Sequence, residues 1–273
     1  MLALVVSAPQ DEVEVASDVL WSLGVVAIEE RVVAERVVEL WTSIGDDLDD
    51  VTNVAALKLQ RWPWRCVEVD ESVADTWRDH AEPVWIDSDL VVCPTWVPFE
   101  QPRGVTVLRI EPGSTFGLGD HPTTVLSLRA LRRALRTDAT VLDVGSGSGV
   151  LAVGACVLGA STAIAIDIAP ASVSVARANA IENGVVDRVQ PSTTSLTDID
   201  RTFDIVVANI LAPTLIELAD DLVRVTASTG VLIVSGVLID RHQHVEDALR
   251  PLTRVRRDTL DGWAAITLSH GAS

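Results

Sequence analysis

The second half of the chain alternates between short apolar runs and segments in which apolar residues recur with helical spacing. These patterns predict, in order, a strand over 105–110, a helix over 122–135, a strand over 140–144, a helix over 150–158, a strand over 163–167, a helix over 171–183, a strand over 204–208, a helix over 215–224, a strand over 231–235 and a helix over 240–249. Two further strands, 253–259 and 263–268, are predicted as a closing hairpin. Because strands and helices alternate, we expect a mostly parallel, doubly wound α/β sheet.

The first seventy residues show a different order of elements. Strands are predicted over 2–6, 25–29, 37–41 and 65–69, and helices over 11–23 and 46–59. This βαββαβ order is typical of a small ferredoxin-like domain. Residues 71–104 combine a short helix at 72–81 with four prolines that interrupt regular structure, and a short strand is a candidate at 91–92. The sequence therefore predicts a first domain over 1–70, a linker over 71–104 and a second domain over 105–273.

Charge is unevenly distributed along the chain. The formal net charge is −18, and residues 1–103 hold 21 acidic against 7 basic side chains. A field of this sign repels nucleic acid and attracts basic partners, although acidity can also serve solubility alone. We therefore expect a basic protein partner at the first domain and no direct binding of nucleic acid.

Composition argues against several other classes of protein. The three cysteines, Cys66, Cys93 and Cys156, show no paired spacing, which disfavours a disulfide framework or a metal site and suits a reducing cytoplasm. The uncharged stretch 144–166 is long enough to cross a bilayer, but its five glycines and two loop serines favour a buried strand, turn, helix and strand. We expect no association with a membrane.

The most informative stretch is the end of the strand at 140–144 and the loop that follows it. Asp143 lies in the strand, and Gly145, Gly147 and Gly149 follow at alternate positions. Glycines let the backbone approach a ligand closely. Asp167, at the end of the next predicted strand, can accept hydrogen bonds from both hydroxyls of a ribose. This combination predicts a nucleoside-cofactor site. The alternative is a glycine turn without a ligand.

Two classes of cofactor compete for this loop. The dinucleotide fingerprint G-x-G-x-x-G/A is met in the register from Gly147 to Ala152, whereas the register from Gly145 puts Val150 at the third position. A dinucleotide also needs the helix N-terminus for its pyrophosphate. S-adenosylmethionine has no phosphate, and its ammonium group benefits from a carboxylate such as that of Asp143. The pattern therefore favours S-adenosylmethionine over NAD.

Asn209 is a candidate for binding or catalysis because of its place in the predicted sheet. It follows the strand at 204–208, and ligands bind at the carboxyl ends of strands in open α/β folds. The residues after it are Ile-Leu-Ala, and the chain contains no tyrosine, so stacking on a nucleobase is disfavoured there. The alternative role for Asn209 is that of a turn former.

The segment 116–124 also combines glycines with polar and aromatic residues. Asp120 is expected to cap the helix that begins at Pro122. His121 is a candidate base because its unperturbed pKa lies near neutrality, and its alternative role is to fix the turn. We interpret the segment as a loop that covers a ligand.

Together these segments resemble the PrmA family, whose members methylate ribosomal large-subunit protein number eleven at lysine ε-amines and an α-amine. The resemblance rests on four motifs, Phe116-Gly-Leu-Gly-Asp-His-Pro-Thr-Thr124, Val141-Leu-Asp-Val-Gly-Ser-Gly-Ser-Gly149, Ile166-Asp-Ile168 and Asn209-Ile-Leu-Ala212. It covers nearly the whole chain. It implies a class I (Rossmann-like) S-adenosylmethionine-dependent methyltransferase domain that follows a ferredoxin-like substrate-recognition domain.

The resemblance also implies roles for single residues. Family cofactor contacts fall on Thr124, Gly145, Asp167 and Asn209. Leu118 stands where the family usually has threonine, so a polar contact there is lost or supplied by the backbone. The full set of expected cofactor-binding residues is Phe116, Thr124, Asp143, Gly145, Gly147, Gly149, Asp167 and Asn209. The expected catalytic residues are Asn209 and His121.

Other functions stay open on the sequence alone. The same fold could methylate another protein lysine or a small amine, or it could bind the cofactor without catalysis. The sequence fixes neither the methylated positions nor the oligomeric state.

Overall fold

The computed structural model describes residues 2–21, 23, 25, 28–34, 36–42, 48–68, 81–113, 117, 119–240 and 242–271. The chain divides into two compact units, Met1–Ala81 and Glu82–Ser273. The helix predicted at 72–81 falls almost entirely outside the described residues.

The first unit is a four-stranded antiparallel sheet with two helices. Its elements are β1 (Leu2–Pro9), α1 (Val13–Trp21), β2 (Glu29–Ala34), β3 (Val37–Thr42), α2 (Leu48–Lys58) and β4 (Trp64–Glu68). The strand order is β2-β3-β1-β4, and each neighbouring pair is antiparallel. Alternate residues of β1, including Leu4 and Val6, enter a core with Leu20 and Leu59. This arrangement confirms the predicted βαββαβ ferredoxin-like domain.

The second strand of this unit lies later in the sequence than predicted. The prediction placed it over 25–29, of which 26 and 27 lie outside the described residues, whereas β2 spans Glu29–Ala34 and pairs Arg31 with Glu39 of β3. Val25 is nevertheless buried in the core. It is apolar because it contributes to the core, although it lies outside a strand. Val32, in contrast, is 75% exposed although it lies in the strand. The pattern of apolar residues therefore led to a wrong position for this strand.

The second unit begins with a small sheet that the sequence assigned to a linker. Its strands are β5 (Val84–Asp87), β6 (Leu90–Pro94) and β7 (Thr106–Ile110), with β5 antiparallel and β7 parallel to β6. The sequence predicts a linker over 71–104, but the structure places 82–104 inside this unit. The prolines that suggested a linker lie at strand ends and in the loop between β6 and β7, where they are compatible with a sheet.

The main sheet has seven strands in the order β10-β9-β8-β11-β12-β14-β13. Its elements are α3 (Pro122–Ala134), β8 (Thr140–Val144), α4 (Val150–Val157), β9 (Thr162–Ile166), α5 (Pro170–Glu182), β10 (Val189–Ser192), β11 (Phe203–Asn209), α6 (Ala212–Glu217), α7 (Ala219–Val225), β12 (Thr226–Leu238), α8 (His242–Ala248), β13 (Thr253–Leu260) and β14 (Trp263–Ser269). The first five strands are parallel, and β14 is antiparallel to both of its neighbours. The predicted α/β sheet with a closing hairpin is confirmed.

Two details of the second unit, one in the sheet and one in its helices, differ from the prediction. The edge strand β10 was not predicted, because four residues that include Pro191 give no periodic signal. The helix predicted over 215–224 is two short helices, α6 and α7, which meet at Leu218. Within the described part of the chain, none of the helices is long and apolar enough to span a bilayer.

The strand order determines where a ligand can bind. Chain connections run outward from β8 in one direction and from β11 in the other, so the sheet reverses its winding between these two neighbours. Helices leave the carboxyl ends of such strands on opposite faces and open a crevice there. The loops after β8, β9 and β11 all meet at this edge.

Two leucines of the first unit provide a test of its core. Leu40 is fully buried in β3, and Leu57 in α2 is 68% exposed. We expect Leu40→Ala to lower the free energy of unfolding by about 2–5 kcal/mol, because it removes buried methyl groups and leaves a cavity. The matched change Leu57→Ala should alter it by about 0.5 kcal/mol or less. Urea denaturation followed by tryptophan fluorescence measures both, and equal losses would contradict the assigned core.

Candidate functional site

The loop between β8 and α4 depends on glycine for its shape. Gly145, Gly147 and Gly149 have φ angles of 72°, 49° and 77°, in the left-handed region. A Cβ at Gly145 would overlap Cγ2 of Ile210, and one at Gly149 would lie 2.7 Å from Cβ of Ala176. The loop is therefore pressed against its neighbours, and its backbone forms the floor of the crevice.

Asp143 lies behind this loop as a buried carboxyl group. It is fully buried, and its Oδ2 accepts a hydrogen bond from the Ala152 N–H of α4 at 3.0 Å. Its Oδ1 is buried and has no hydrogen-bond partner among the residues that the structure describes. Burial raises the pKa of Asp143 to about 7, opposed by the Ala152 hydrogen bond and reinforced by Asp167. A buried carboxyl with an unsatisfied oxygen suits a cationic ligand group.

Asp167 follows β9 and faces the same loop. Its Oδ2 accepts the Gly147 N–H at 2.8 Å, and its Oδ1 accepts the Ala169 N–H at 2.9 Å. Each carboxylate oxygen can accept a second hydrogen bond, so the pair suits two adjacent hydroxyls. The next side chain, Ile168, is 93% exposed. An apolar side chain beside such a carboxylate provides a surface for a flat ring, and these residues fit a nucleoside.

Asn209 and Thr124 form a second group beside the loop. Asn209 ends β11, and its Nδ2 donates to Oγ1 of the buried Thr124 at 3.4 Å. Ile210, the next residue, is the one that packs on Gly145. The structure therefore brings this polar pair next to the glycine loop, as the predicted sheet edge requires.

His121 caps helix α3, a role that the sequence assigned to Asp120. Its Nδ1 accepts the Thr123 N–H at 3.3 Å and lies 2.7 Å from Oγ1 of Thr123, and Pro122 is the first helical residue. The prediction that Asp120 is the cap is therefore wrong. The imidazole packs edge-to-face on Trp263 at 5.1 Å between ring centroids. Burial lowers the pKa of His121, and the charge of Asp120 opposes this.

The sequence assigned no role to three residues of this region. Ile168 stands in the motif Ile166-Asp-Ile168, but its type does not distinguish it from a core residue, and Trp263, which packs on His121, belongs to none of the motifs. Asn179 of α5 is 1% exposed and hydrogen-bonds the glycine loop. The sequence did not distinguish it, because the buried face of α5 also holds the polar residue Ser172. Phe116, predicted to bind cofactor, and Leu118 lie outside the described residues. In the described part of the chain, no group of three or more His, Cys, Asp and Glu could hold a metal.

Comparisons with known proteins point to one family. The family model described as "Ribosomal protein L11 methyltransferase (PrmA)" matches residues 29–270. A ribosomal protein L11 methyltransferase from Geobacter sp. (strain M21) is 41% identical over 204 residues, which are 72% of this chain and 67% of the relative. One from Geobacter metallireducens is 46% identical over 178 residues, 65% of this chain. The chain spans 58% of the length of that second relative.

A solved structure shows the same fold. The crystal structure of a ribosomal protein L11 methylase from Lactobacillus delbrueckii subsp. bulgaricus has a TM-score of 0.65 and 31% identity, and it covers 70% of this chain and 99% of the other. This likeness confirms the predicted class I methyltransferase fold.

The raised pKa of Asp143 predicts how stability depends on pH. The folded state keeps the proton up to about pH 7, whereas the ordinary pKa is 3.8. The folded state therefore binds more protons between these values, and the ligand-free protein should lose stability from about pH 4 to about pH 7. Asp143→Asn should make this decline shallower. Asp187→Asn, at an exposed position, is the control and should retain the decline. Urea unfolding at pH 4.5, 6 and 8 measures it, and parallel curves for Asp143→Asn and the parent would contradict the assignment.

Proposed function

Because the chain belongs to the ribosomal protein L11 methyltransferase (PrmA) family, we propose that it transfers methyl groups from S-adenosylmethionine to ribosomal protein L11. The observation that carries the proposal is the family match over residues 29–270, which includes the glycine loop, Asp167 and Asn209. The methyl acceptors are lysine ε-amines and an α-amine.

The cofactor site follows from the two carboxyl groups and the loop between them. Asp167 would hold the ribose hydroxyls, and the exposed Ile168 would cover one face of the adenine. The unsatisfied Oδ1 of Asp143 would offset the positive charge of the ammonium group, directly or through water. When bound, S-adenosylmethionine supplies an electrophilic methyl group on its sulfonium. The chain holds this group close to an amine rather than activating it.

Asn209 and Thr124 would orient the acceptor. An amide offers both a donor and an acceptor, so Asn209 can hydrogen-bond an amine while its Nδ2 is held by Thr124. The amine must be neutral to attack, and a free lysine has a pKa of about 10.4. Nδ1 of His121 accepts the hydrogen bond that caps α3. His121 would therefore have to act as a base through its other ring nitrogen, Nε2. Alignment of the two reactants is the main contribution that these residues support.

The first unit would bind the protein substrate through its charge. Residues 1–81 hold 17 acidic and 6 basic side chains, which favours a basic protein and disfavours nucleic acid. A ribosomal protein as acceptor supports the cytoplasm as the location that we propose for the enzyme. The first unit is accordingly assigned to substrate recognition, and the second to methyl transfer.

A transfer assay tests this function directly. Purified enzyme is incubated with methyl-labelled S-adenosylmethionine and recombinant ribosomal protein L11, and labelled positions are mapped by mass spectrometry. Lys58 is the single lysine of this chain, so Lys58→Arg gives an enzyme without any ε-amine of its own. Every methyl-lysine found with that variant then comes from the substrate. Labelled lysines and a labelled α-amine in L11 are expected.

The other functions give different results in the same assay. If label appears in a small amine or in another protein and not in L11, that molecule is the substrate instead of L11. Binding of S-adenosylmethionine without transfer to any protein of a cell extract would favour a non-catalytic module. Calorimetric binding of NAD in place of S-adenosylmethionine would indicate an oxidoreductase.

Two substitutions should separate cofactor binding from catalysis. Asp167→Ala removes the carboxylate assigned to the ribose, and we expect the Kd for S-adenosylhomocysteine to rise about 10- to 100-fold. Asn209→Ala should raise that Kd clearly less than Asp167→Ala does, even with the cofactor contact that the family resemblance implies, and should lower kcat about 100-fold because it misaligns the acceptor. Calorimetry gives the Kd, and initial rates of label transfer give kcat. The assignment is wrong if Asn209→Ala weakens cofactor binding as much as Asp167→Ala does.

A further inference from the structure

Two asparagines of α5 bind the open edge of strand β7. Asn179 and Asn183 are four residues apart, so they lie on one face of the helix. Asn183 accepts the Arg109 N–H at 2.9 Å and donates to the Arg109 carbonyl at 2.7 Å. Asn179 does the same with Glu111, at 2.9 Å in both directions. Their side-chain amides thus take the place of a neighbouring strand for Arg109 of β7 and for Glu111, the residue that follows β7.

Each asparagine has one further contact: Asn183 donates to the Asn179 carbonyl at 2.8 Å, whereas Asn179 reaches the glycine loop. Its Nδ2 also donates to the Ser148 carbonyl at 2.8 Å, inside the glycine loop. Three residues earlier on α5, Ala176 packs against Gly149 so closely that a Cβ there would lie 2.7 Å away. Asn179 therefore joins the glycine loop to Glu111, where the chain leaves β7 towards His121. With 1% exposure, its amide bonds are shielded from water.

Ser148 supplies a second link between the same two segments. Its hydroxyl donates to the Gly117 carbonyl at 2.6 Å and accepts the Val150 N–H at 3.3 Å. Gly117 has a φ of 104°, and a Cβ on it would lie 2.8 Å from Oγ of Ser148. The approach of the two backbones therefore needs glycine at 117 and a small hydroxyl at 148. Ser148 is itself fully buried.

We propose that Asn179 and Ser148 are positioning residues that hold the glycine loop against Glu111 and Gly117. Asn179 joins the loop to Glu111, and Ser148 joins it to Gly117. Cofactor bound on the loop is thereby kept at a fixed distance from Thr124. The proposal rests on the proposed function, because it assigns the loop to S-adenosylmethionine.

Asn179→Ala and Asn183→Ala form a matched pair for the test. Both remove the amide that binds β7, so both should lower the melting temperature, but only Asn179→Ala releases the glycine loop. We expect Asn179→Ala to raise the Kd for S-adenosylhomocysteine about tenfold or more, and Asn183→Ala to change it about twofold or less. Calorimetry measures the Kd of each variant at a temperature well below its melting temperature. Asn179→Asp, which conserves volume and the acceptor for Glu111, replaces the alanine variant if that variant does not fold.

Ser148→Ala tests the second link by a different readout. It removes the hydroxyl bound to Gly117 and leaves the loop backbone in place. We expect the Kd for S-adenosylhomocysteine to stay within about threefold and kcat for protein methylation to fall about tenfold or more, because only the acceptor side shifts. A purely structural role would lower stability without this split between Kd and kcat.

The outcomes separate this inference from the function on which it rests. If the parent enzyme binds S-adenosylhomocysteine but Asn179→Ala and Asn183→Ala have the same Kd, or if Ser148→Ala retains full kcat, the positioning role is wrong and the methyltransferase function stands. If the parent enzyme does not bind S-adenosylhomocysteine, both are wrong.

Discussion

The close approach of the glycine loop to its neighbours is the constraint on which the rest of the site depends. Gly145 packs on Ile210 and Gly149 on Ala176, with left-handed backbone at both glycines. Side chains at these positions would force β11 or α5 away from β8. Because β11 carries Asn209 and α5 carries Asn179, the loop fixes how far these two side chains lie from its own backbone. A tight backbone contact thus sets the geometry of groups that come from distant parts of the sequence.

Electrostatics adds a second constraint at the same place. Asp143 is buried with one unsatisfied oxygen, which destabilises the ligand-free fold once the group ionises. Such a cost is reasonable where a cationic ligand arrives to offset it. Asp167, by contrast, has both oxygens hydrogen-bonded to backbone N–H groups of its surroundings and is only partly buried. We therefore propose different roles for the two carboxyl groups: Asp167 would bind a neutral diol, and Asp143 would lie close to a positive charge.

Much of the second unit could be predicted from the sequence, because its strands and helices have clear periods. β8 was predicted with its observed bounds, and the neighbouring β9, α4 and α5 to within one residue at each end. β5 and β10 were missed because four-residue edge strands carry too few positions for a pattern. β2 was misplaced because Val25 is buried outside a strand and Val32 is exposed inside one. An apolar residue indicates burial, and in short segments a buried residue need not belong to a strand.

Apart from β5 and β10, the sequence by itself determined the order of the strands, the glycine loop, both carboxylates at strand ends and the place of Asn209, since each depends on local spacing and on strand polarity. Only the tertiary structure decided that His121 rather than Asp120 caps α3, that Ile168 is exposed and that Trp263 lies against His121. It also decided that Asn179 and Ser148 join segments more than thirty residues apart. These are contacts between distant positions, and their hydrogen-bond geometry exists only once the sheet has brought the strand ends together.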